Sequence, residues 1–390
     1  MAEVAVVHHD LMIKGGGESV CMNVLEALQD DHDVTLVTLT HPDINELNNY
    51  FKTNVNELTV EIPPIAGRVL DRMKAITNFE FDLLKTALLN RYLKRHEQKY
   101  DIVVSTTNEL ALNGDSVQYI HLPQFDRAAL PDTIGSMQKS NPIYDVYDQV
   151  CTMLAGFNKE LIGSGRDRLL TNSHWTAEIV EEIYDEMPDV VYPPVDTETF
   201  AQFGDVPWSE KEDGFVTIGR IMPLKKILRV VDIIAGVHEL GHDVSLKIYG
   251  PPSDEGYYAK VEERVAEYDF VHLEGELRHS DEAQMRSICR QKYYLNGTDY
   301  EAFGISIAEM VAAGAIPFVP NNGGQTEIVN GREELVYESV EDAVDKIDRV
   351  LTDETLASKL KTELADEKSE FTYETFQWNV RTAVNETLSR

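Results

Sequence analysis

The sequence from residue 298 to residue 314 reads TDYEAFGISIAEMVAAG, a polar turn followed by an apolar run. The apolar residues 293–295 before it predict a strand, and residues 316–319 after it predict another. The run 305–313 between them predicts a helix. A strand, a helix and a second strand in this order are typical of a parallel sheet with crossover helices. This stretch therefore predicts an α/β fold.

The same alternation occurs in two series along the chain. The first series has strands at residues 4–7 and 34–39 around a helix at 19–28. The second series starts with a strand at 215–218, and its next elements are a helix at 226–237, a strand at 244–249, a helix at 257–266 and a strand at 271–273. Two such series predict two α/β domains of ordinary size.

The domain boundary is predicted from proline and polar residues. Residues 192–196 read YPPVD, and paired prolines favour an extended segment. The polar composition that follows predicts a linker at 195–214. We therefore assign residues 1–195 to the first domain and 214–370 to the second. The last segment, 371–390, looks helical and is expected to return to the first domain.

Composition and charge exclude some functions. The 390 residues include 68 acidic and 35 basic ones, so the formal net charge is −33, which argues against a nucleic-acid partner. A hydrophobic content of 43% indicates a globular chain rather than a disordered one. The acid excess has two interpretations, adaptation to high salt or an ordinary acidic cytosolic protein.

Targeting and metal signals are weak in this sequence. Cys21, Cys151 and Cys289 are far apart and predict free thiols in a reducing compartment. The amino terminus shows no signal-peptide pattern, and no apolar run reaches about 18 residues. We therefore expect a cytoplasmic location.

The triplet Asp31-His32-Asp33 resembles a metal motif, but its place between a helix and a strand favours a surface turn, and we expect no metal site.

The turn and helix at 298–314 predict an anion site. Backbone N–H groups at Gly304, Ile305 and Ser306 would lie at the positive end of the helix. Glu309 follows among apolar residues, and a carboxylate buried alone costs several kcal/mol, so it needs a partner such as ribose hydroxyls. Glu301 in the preceding turn would face a bound ligand. Alternatively, both glutamates are solvated surface residues.

A basic stretch follows the strand at 215–218. Residues 214–231 contain Arg220, Lys225, Lys226 and Arg229 and no acidic residue. Cations at a helix amino terminus oppose its dipole, and a bound anion removes that conflict. Arg220 and Lys225 are therefore candidates to bind a diphosphate. The alternative is a solvated helix start.

Two features of the first domain are candidate site residues. The glycines at 15–17 lack the spacing of a dinucleotide-binding loop, but they would let the backbone approach a substrate, or they form a flexible turn. His121 follows an apolar strand and precedes Leu122-Pro123. It therefore lies either at a strand end facing a ligand or in the core as a structural residue.

These motifs together resemble the family 4 glycosyltransferases of GT-B fold, over most of the chain. They are, in order, the glycine loop 15–17 with Glu18, HLP at 121–123, NSHWT at 172–176, VVYPPVD at 190–196, Gly219-Arg220 with Lys225, Glu301 and Glu309 in E-x7-E spacing, and GGQTE at 323–327. His8, ten residues before Glu18, adds a likeness to the dolichol-pathway α-1,2-mannosyltransferase branch, although His9 stands where that branch has proline.

The resemblance implies a fold and a set of roles. The fold would be GT-B, with two Rossmann-like domains facing each other across a cleft. Arg220 and Lys225 would bind the donor diphosphate, and Glu309 would bind the ribose. The residues meeting the donor sugar and phosphates would be Glu301, Phe303, Gly304 and Ile305, with Gly16 and Gly17 on the opposite domain. His121 would lie at the reacting centre on the acceptor side.

The implied activity is transfer of a hexose from a UDP- or GDP-linked sugar to an acceptor hydroxyl, with retention of configuration and without a metal or another cofactor. The alternatives are a nucleotide-sugar epimerase and a non-catalytic sensor of nucleotide sugars. Residues 68–99 carry eight basic and four acidic residues among apolar ones. This pattern suits either a peripheral membrane surface, with a polyprenyl-linked glycan as acceptor, or a core-facing helix pair.

The acid excess leads to a prediction about salt. If it is an adaptation, added salt screens the repulsion between surface carboxylates, so activity should rise as KCl is increased from about 0.1 M into the molar range. The measurement is initial transfer rate against KCl concentration. A rate that is highest near about 0.1 M and falls steadily above it would contradict salt adaptation and leave the transferase hypothesis intact.

Overall fold

The structure is a computed structural model that describes residues 1–56, 58–64, 81–126, 130 and 142–390, with the backbone alone at 142–144 and 366–369. It divides into two compact units. The first unit comprises residues 1–194 and 373–390, and the second comprises residues 195–372.

The described part of the first unit contains a seven-stranded parallel sheet in the order β3-β2-β1-β4-β5-β6-β7. Its strands are β1 (Glu3–Val7), β2 (Asp33–Val37), β3 (Thr59–Glu61), β4 (Ile102–Ser105), β5 (Ser116–Ile120), β6 (Asp167–Thr171) and β7 (Asp189–Val190). Its helices are α1 (Gly16–Leu28), α2 (Ile44–Phe51), α3 (Asp82–His96), α4 (Pro142–Ala155), α5 (His174–Tyr184) and, from the end of the chain, α14 (Tyr373–Leu388).

The described part of the second unit contains a six-stranded parallel sheet in the order β10-β9-β8-β11-β12-β13. Its strands are β8 (Glu212–Ile218), β9 (Ser245–Tyr249), β10 (Val271–Gly275), β11 (Gln291–Leu295), β12 (Ile316–Pro320) and β13 (Val336–Tyr337). Its helices are α6 (Thr197–Gly204), α7 (Ile227–Glu239), α8 (Glu255–Val265), α9 (Glu282–Cys289), α10 (Ile305–Ala312), α11 (Gln325–Ile328), α12 (Val340–Thr352) and α13 (Glu354–Glu367).

Both sheets follow from the apolar runs in the sequence. Four of the five residues of β1 and all five of β12 are buried, as expected for parallel strands covered by helices on both faces. In the first unit, α1 and α14 pack together over one face of the sheet. Phe376 and Val380 of α14 belong to the same hydrophobic cluster as β1 and α1. The last helix is therefore part of the core of the first unit.

The predicted linker at 195–214 is wrong. Residues 197–204 form α6, and β8 begins at Glu212, so this stretch belongs to the second unit. The Asp196 side chain accepts a hydrogen bond from the Thr199 N–H at 3.0 Å and caps α6. The Phe200 side chain anchors the helix by complete burial. The polar composition of the stretch reflects its solvent side rather than a flexible connection.

The basic segment 68–99 is described only from residue 81 onward. In that part, Leu83, Leu89 and Leu93 of α3 are fully buried in a core cluster, and α3 packs against α4. Arg91 and Arg95 are exposed. The described part therefore has the core-facing arrangement and presents no leucine face to a membrane. Residues 68–80 lie outside the described residues, and the membrane hypothesis stays a prediction there.

Two further features concern helices and thiols. Among the described residues, no helix combines the length and apolar character needed to cross a membrane. Cys21, Cys151 and Cys289 are free thiols, and all three are buried.

A pair of substitutions in α14 tests its place in the first core. Phe376 is 1% exposed, whereas Trp378 on the same helix is 63% exposed. Because truncation of a buried aromatic leaves a cavity, Phe376→Ala should lower the free energy of unfolding by about 3–5 kcal/mol. Trp378→Ala should change it by no more than about 0.5 kcal/mol. Urea unfolding followed by circular dichroism measures both, and equal losses would contradict this packing.

Candidate functional site

Two loops at the carboxyl edge of the second sheet bring candidate residues together. One follows β8 and the other follows β11, which are neighbouring strands. Lys225 in the first loop donates from Nζ to Oε1 of Glu301 in the second, at 2.5 Å. The aliphatic part of the lysine lies over Gly219, where an added Cβ would be 3.7 Å from it. Both side chains of the pair are 23% exposed, so a ligand at this edge can reach them.

Two further cations of the basic stretch share one acidic partner. Arg229 binds Asp299 at 2.6 Å, and Lys226 lies 3.5 Å from the same carboxylate. Three of the four cations in the acid-free stretch 214–231 thus have a carboxylate partner from the β11 loop, so a bound anion is not needed to balance all of them. Arg220 is exposed and has no ion-pair partner within the described residues. Arg220 therefore remains available to an anion.

The start of α10 forms the second part of the site. Gly304 caps the helix with φ of 111°, a backbone conformation that favours glycine, and no side chain caps it. In the part of the chain that the structure describes, the N–H groups of Ile305 and Ser306 have no acceptor. The Ser306 hydroxyl lies 2.9 Å from the Tyr294 hydroxyl. The helix start thus offers two N–H groups to a ligand, as the sequence predicted for an anion site.

Glu309 lies about one turn beyond the helix start and is 7% exposed. Its carboxyl group has no hydrogen-bond partner among the described residues. Burial, with a smaller contribution from the charge of Asp196, raises the pKa of Glu309 to about 8. The group is therefore mostly protonated at neutral pH, and a ligand that donates hydrogen bonds would favour its charged form.

The GGQTE motif at 323–327 supports the loop that carries Glu301. Gly323 has φ of 81°, and an added Cβ there would lie 2.6 Å from the Glu301 carbonyl oxygen. The N–H of Gly324 donates to that carbonyl at 2.8 Å. The buried Gln325 amide donates to the carbonyls of residues 298, 320 and 322. These hydrogen bonds fix the backbone of the loop that contains Glu301.

Phe303 does not face a ligand. Its side chain is 3% exposed and makes an edge-to-face contact with Phe371, with ring centroids 5.2 Å apart. The buried side chain does not offer a donor contact, so the predicted meeting of Phe303 with the donor remains a prediction for its backbone. Phe303 is a packing residue because it anchors the turn that presents Gly304 and Ile305.

In the first unit, the glycine loop is the first turn of a helix. The helix α1 begins at Gly16, three residues before the predicted start. Glu18 accepts a hydrogen bond from the Gly15 N–H at 2.6 Å and so caps the helix. An added Cβ at Gly17 would lie 3.5 Å from Nε2 of His121 and 3.7 Å from the ring of His8. Gly17 and His121 are thus neighbours, as expected for two parts of one site, while Gly16 is exposed.

His121 is held from several sides at the end of β5. Its backbone N–H donates to Oδ1 of Asn108 at 2.7 Å, and its carbonyl accepts from Asn172 at 3.2 Å. Its Nε2 lies 3.3 Å from the Thr106 carbonyl oxygen. Burial, followed by the charge of His8, lowers the pKa of His121 to about 4, so the ring is neutral at physiological pH.

One group of side chains has the spacing of metal ligands within the described residues. His8, His9 and Glu18 place one ligand atom each within 4.8 Å of one another. Nε2 of His8 and Oε1 of Glu18 are hydrogen-bonded at 3.1 Å, which requires no ion. Geometry alone therefore does not assign a cation here.

Several site residues were not found from the sequence as candidates. Asp299 neutralises two cations, Tyr294 supports Ser306, and Thr106 holds two histidines. The signal available for Asp299 was its place two residues before Glu301, opposite a basic loop. Tyr294 and Thr106 lie in apolar strand contexts that carry no such signal.

The comparison with family models concerns the second unit. Residues 198–366 match the family described as Glycosyl transferases group 1. The matched residues all lie within the second unit.

Two curated proteins are similar in sequence to part of the chain. One is named GDP-Man:Man(3)GlcNAc(2)-PP-Dol alpha-1,2-mannosyltransferase from Mus musculus, with 26% identity over 217 residues, which are 52% of this chain and 42% of that protein. The protein of the same name from Neurospora crassa is 27% identical over 191 residues, 42% of this chain and 34% of that protein. The match thus spans less than half the length of these relatives.

Solved structures share the fold over nearly the whole chain. A glycosyltransferase from Rickettsia africae has a TM-score of 0.67 at 15% identity and covers 99% of this chain and 98% of its own. The structure of Anabaena HepE in complex with UDP and glucose has a TM-score of 0.67 at 13% sequence identity, and the match covers 100% of both chains. Sucrose-phosphate synthase from Thermosynechococcus elongatus has a TM-score of 0.70 at 14% sequence identity, and the match covers 99% of both chains. The fold of this protein is GT-B, with two Rossmann-like units.

Glu309 gives a prediction about pH. Its folded-state pKa of about 8 exceeds the ordinary value of 4.5, so the folded state keeps a proton that the unfolded state releases. Wild-type stability should therefore fall between pH 4.5 and 8, by an amount on the order of 4 kcal/mol from this group alone. Glu309→Gln cannot ionise and should lack this fall.

The measurement is the melting temperature of wild type and Glu309→Gln at about pH 5 and about pH 8.5, on either side of the transition. The melting temperature of the variant, relative to that of wild type, should be higher at the higher pH than at the lower pH. Glu282→Gln is the control, because Glu282 is 75% exposed in the same unit. A difference between Glu309→Gln and wild type that does not change with pH would show that Glu309 is not a buried neutral carboxyl.

Proposed function

We propose that this chain is a retaining glycosyltransferase of the family 4 type that transfers a hexose from a nucleotide diphosphate sugar to an acceptor hydroxyl. The observation that carries the proposal is the unpartnered, buried carboxyl of Glu309 on the same helix as the open N–H groups of Ile305 and Ser306. A nucleotide diphosphate sugar supplies both missing partners. Its ribose hydroxyls donate to a carboxylate, and its phosphate oxygens accept from N–H groups.

Ribose binding would change the charge of Glu309. Hydrogen bonds from two hydroxyls favour the carboxylate over the carboxylic acid. Because the pKa of the free group is about 8, donor binding at neutral pH would release a proton from it. The nucleotide thereby gains a charged hydrogen bond in a buried site, where such a bond is stronger than in water.

The diphosphate would be bound by Lys225, Arg220 and the start of α10. Lys225 is paired with Glu301, so an arriving phosphate would compete with that carboxylate for the ammonium group. Glu301 would then be free to accept a hydrogen bond from a hydroxyl of the donor sugar. As the glycosidic bond breaks, negative charge develops on the departing diphosphate, and fixed cations and N–H groups stabilise it. These groups would do the work of a metal ion, so we expect activity without one.

Retention would follow from attack on the face of the sugar that the diphosphate leaves. A departing phosphate oxygen would accept the proton of the acceptor hydroxyl, and the new glycosidic bond would form as the old one breaks. We assign no nucleophile. His121 of the first unit would border the acceptor side, and Gly16 and Gly17 would border the phosphates. Gly17 and His121 are neighbours, since a Cβ added at Gly17 would lie 3.5 Å from Nε2 of His121.

The relatives suggest the chemical class of both substrates. The similar curated proteins are named for GDP-mannose and for a glycan on dolichyl diphosphate, whereas the HepE structure holds UDP and glucose. We therefore propose a UDP- or GDP-linked hexose as donor and a glycan, carried on a polyprenyl diphosphate, as acceptor. A cytoplasmic enzyme that works at the inner membrane face fits this acceptor.

Substitutions in the donor site test the proposal. Lys225→Ala and Glu309→Ala should each lower turnover by about 100-fold or more, because each removes a partner of the donor. Lys292→Ala is the matched control, since Lys292 forms an ion pair with Asp213 elsewhere in the unit. Its turnover should stay within about twofold of wild type. Wild-type turnover in both site variants would refute the assignment.

The donor and the reaction type are tested with the same protein. UDP, GDP and their hexose derivatives are screened by thermal shift, because a bound ligand raises the melting temperature. The preferred donor is then incubated with and without a glycan acceptor. Consumption of the donor without any acceptor would indicate an epimerase, and tight binding without transfer to any acceptor would indicate a sensor.

A further inference from the structure

The buried His8 has a hydrogen-bond acceptor on each side of its ring. Its Nδ1 lies 3.2 Å from the carbonyl oxygen of Thr106 and 3.0 Å from the hydroxyl oxygen of the same residue. That hydroxyl donates its own hydrogen to the Val7 carbonyl at 3.0 Å, so it can only accept from His8. Nδ1 of His8 therefore carries a hydrogen.

The other ring nitrogen of His8 faces a carboxylate. Nε2 lies 3.1 Å from Oε1 of Glu18, and the second oxygen of Glu18 accepts from the Gly15 N–H. Burial acts to raise the pKa of Glu18, but the hydrogen bonds from His8 and Gly15 overcome it and lower the pKa to about 2. An ionised carboxylate only accepts, so with Glu18 ionised Nε2 would also carry a hydrogen and the His8 ring would be an imidazolium.

The Thr106 carbonyl connects this pair to His121. A carbonyl oxygen has two lone pairs and only accepts. Since it lies 3.3 Å from Nε2 of His121, that nitrogen is the protonated one in the neutral ring. Nδ1 of His121 is then unprotonated, and it has no partner among the described residues. His121 thus presents a hydrogen-bond acceptor with a fixed orientation.

We propose that His8 and Glu18 are positioning residues, an imidazolium–carboxylate pair that holds the glycine turn 15–17 beside His121 and holds the Thr106 carbonyl that keeps His121 as the Nε2–H tautomer. The role in transfer rests on the proposed function. In that reaction, the Nδ1 lone pair of His121 accepts a hydrogen bond from the acceptor hydroxyl and fixes the direction of its O–H bond. The proton itself passes to the departing phosphate, because a ring with a pKa of about 4 is a weak base.

Two other arrangements place the same atoms at these distances. In one, the proton lies on Glu18 and His8 is neutral. In the other, a divalent cation lies between Nε2 of His8, Glu18 and His9. Each leaves Nε2 of His8 without a hydrogen, which separates both from the proposed pair.

Nitrogen NMR of the full chain with 15N-labelled histidine reads these states directly. At neutral pH, His8 should show two protonated nitrogens and His121 only a protonated Nε2. In Glu18→Gln, His8 should become neutral with its hydrogen on Nδ1, which identifies its signals; His121→Gln identifies those of His121. A singly protonated His8 in wild type, or a stoichiometric change of its signals on adding Zn²⁺, would overturn the pair.

Kinetics test the positioning role. Glu18→Ala releases the Gly15 N–H and should lower kcat by about 10- to 100-fold through misplacement of the glycine turn. The donor KM should change by less than about threefold, because the charged donor partners Lys225 and Glu309 lie in the second unit and the glycine turn would only border the phosphates. Glu18→Gln should recover most of kcat, since its amide can accept from Gly15 and donate to neutral His8. Glu46→Gln, which removes the exposed partner of Lys14, is the control and should leave kcat unchanged.

The outcomes separate this inference from the proposed function. An unchanged kcat in folded Glu18→Ala would overturn the positioning role. A rise in the donor KM alone would also overturn it, because it would indicate a binding role. If wild type transfers no sugar, the proposed function fails and the positioning role with it, whereas the NMR result on His8 stands by itself.

Discussion

Burying a carboxylate without a hydrogen-bond donor costs several kcal/mol, and this cost governs one buried glutamate in each unit. In the first unit, Glu18 finds its donors within the protein, from His8 and from the Gly15 N–H. In the second unit, Glu309 finds none in the described part of the chain and keeps its proton instead. One buried carboxyl group is therefore a completed element of the scaffold. The other is incomplete until a ligand brings hydroxyl groups.

The parallel sheets explain why both carboxyl groups lie where they do. In each unit a strand ends, the chain turns through glycine, and a helix begins at the same edge of the sheet. Glu18 lies in the first turn of α1 and Glu309 just beyond the first turn of α10. Neighbouring strands bring further loops to that edge, which is how Thr106 reaches His8 and how Lys225 reaches Glu301.

The sequence predicted the elements better than their contacts. Apolar runs located the strands and α10, and the isolation of Glu309 among apolar residues already indicated a missing partner. The pairing of Asp299 with Arg229 depends on the adjacency of β8 and β11, which local patterns do not contain. The helix α6 was missed because one buried phenylalanine anchors an otherwise polar segment. The start of α1 was missed because glycine is a poor helix former, and Glu18 compensates by capping.

The discontinuity of the first unit has a consequence for biosynthesis. Its core includes α14, which follows the whole second unit along the chain. During translation the ribosome releases residues 1–194 early, but the helix that covers one face of their sheet emerges only after the whole second unit. The second unit is continuous and can complete its fold while the first still exposes apolar surface. In most chains the amino-terminal domain can fold first, whereas here all parts of the amino-terminal unit are available only after the second unit has been synthesised.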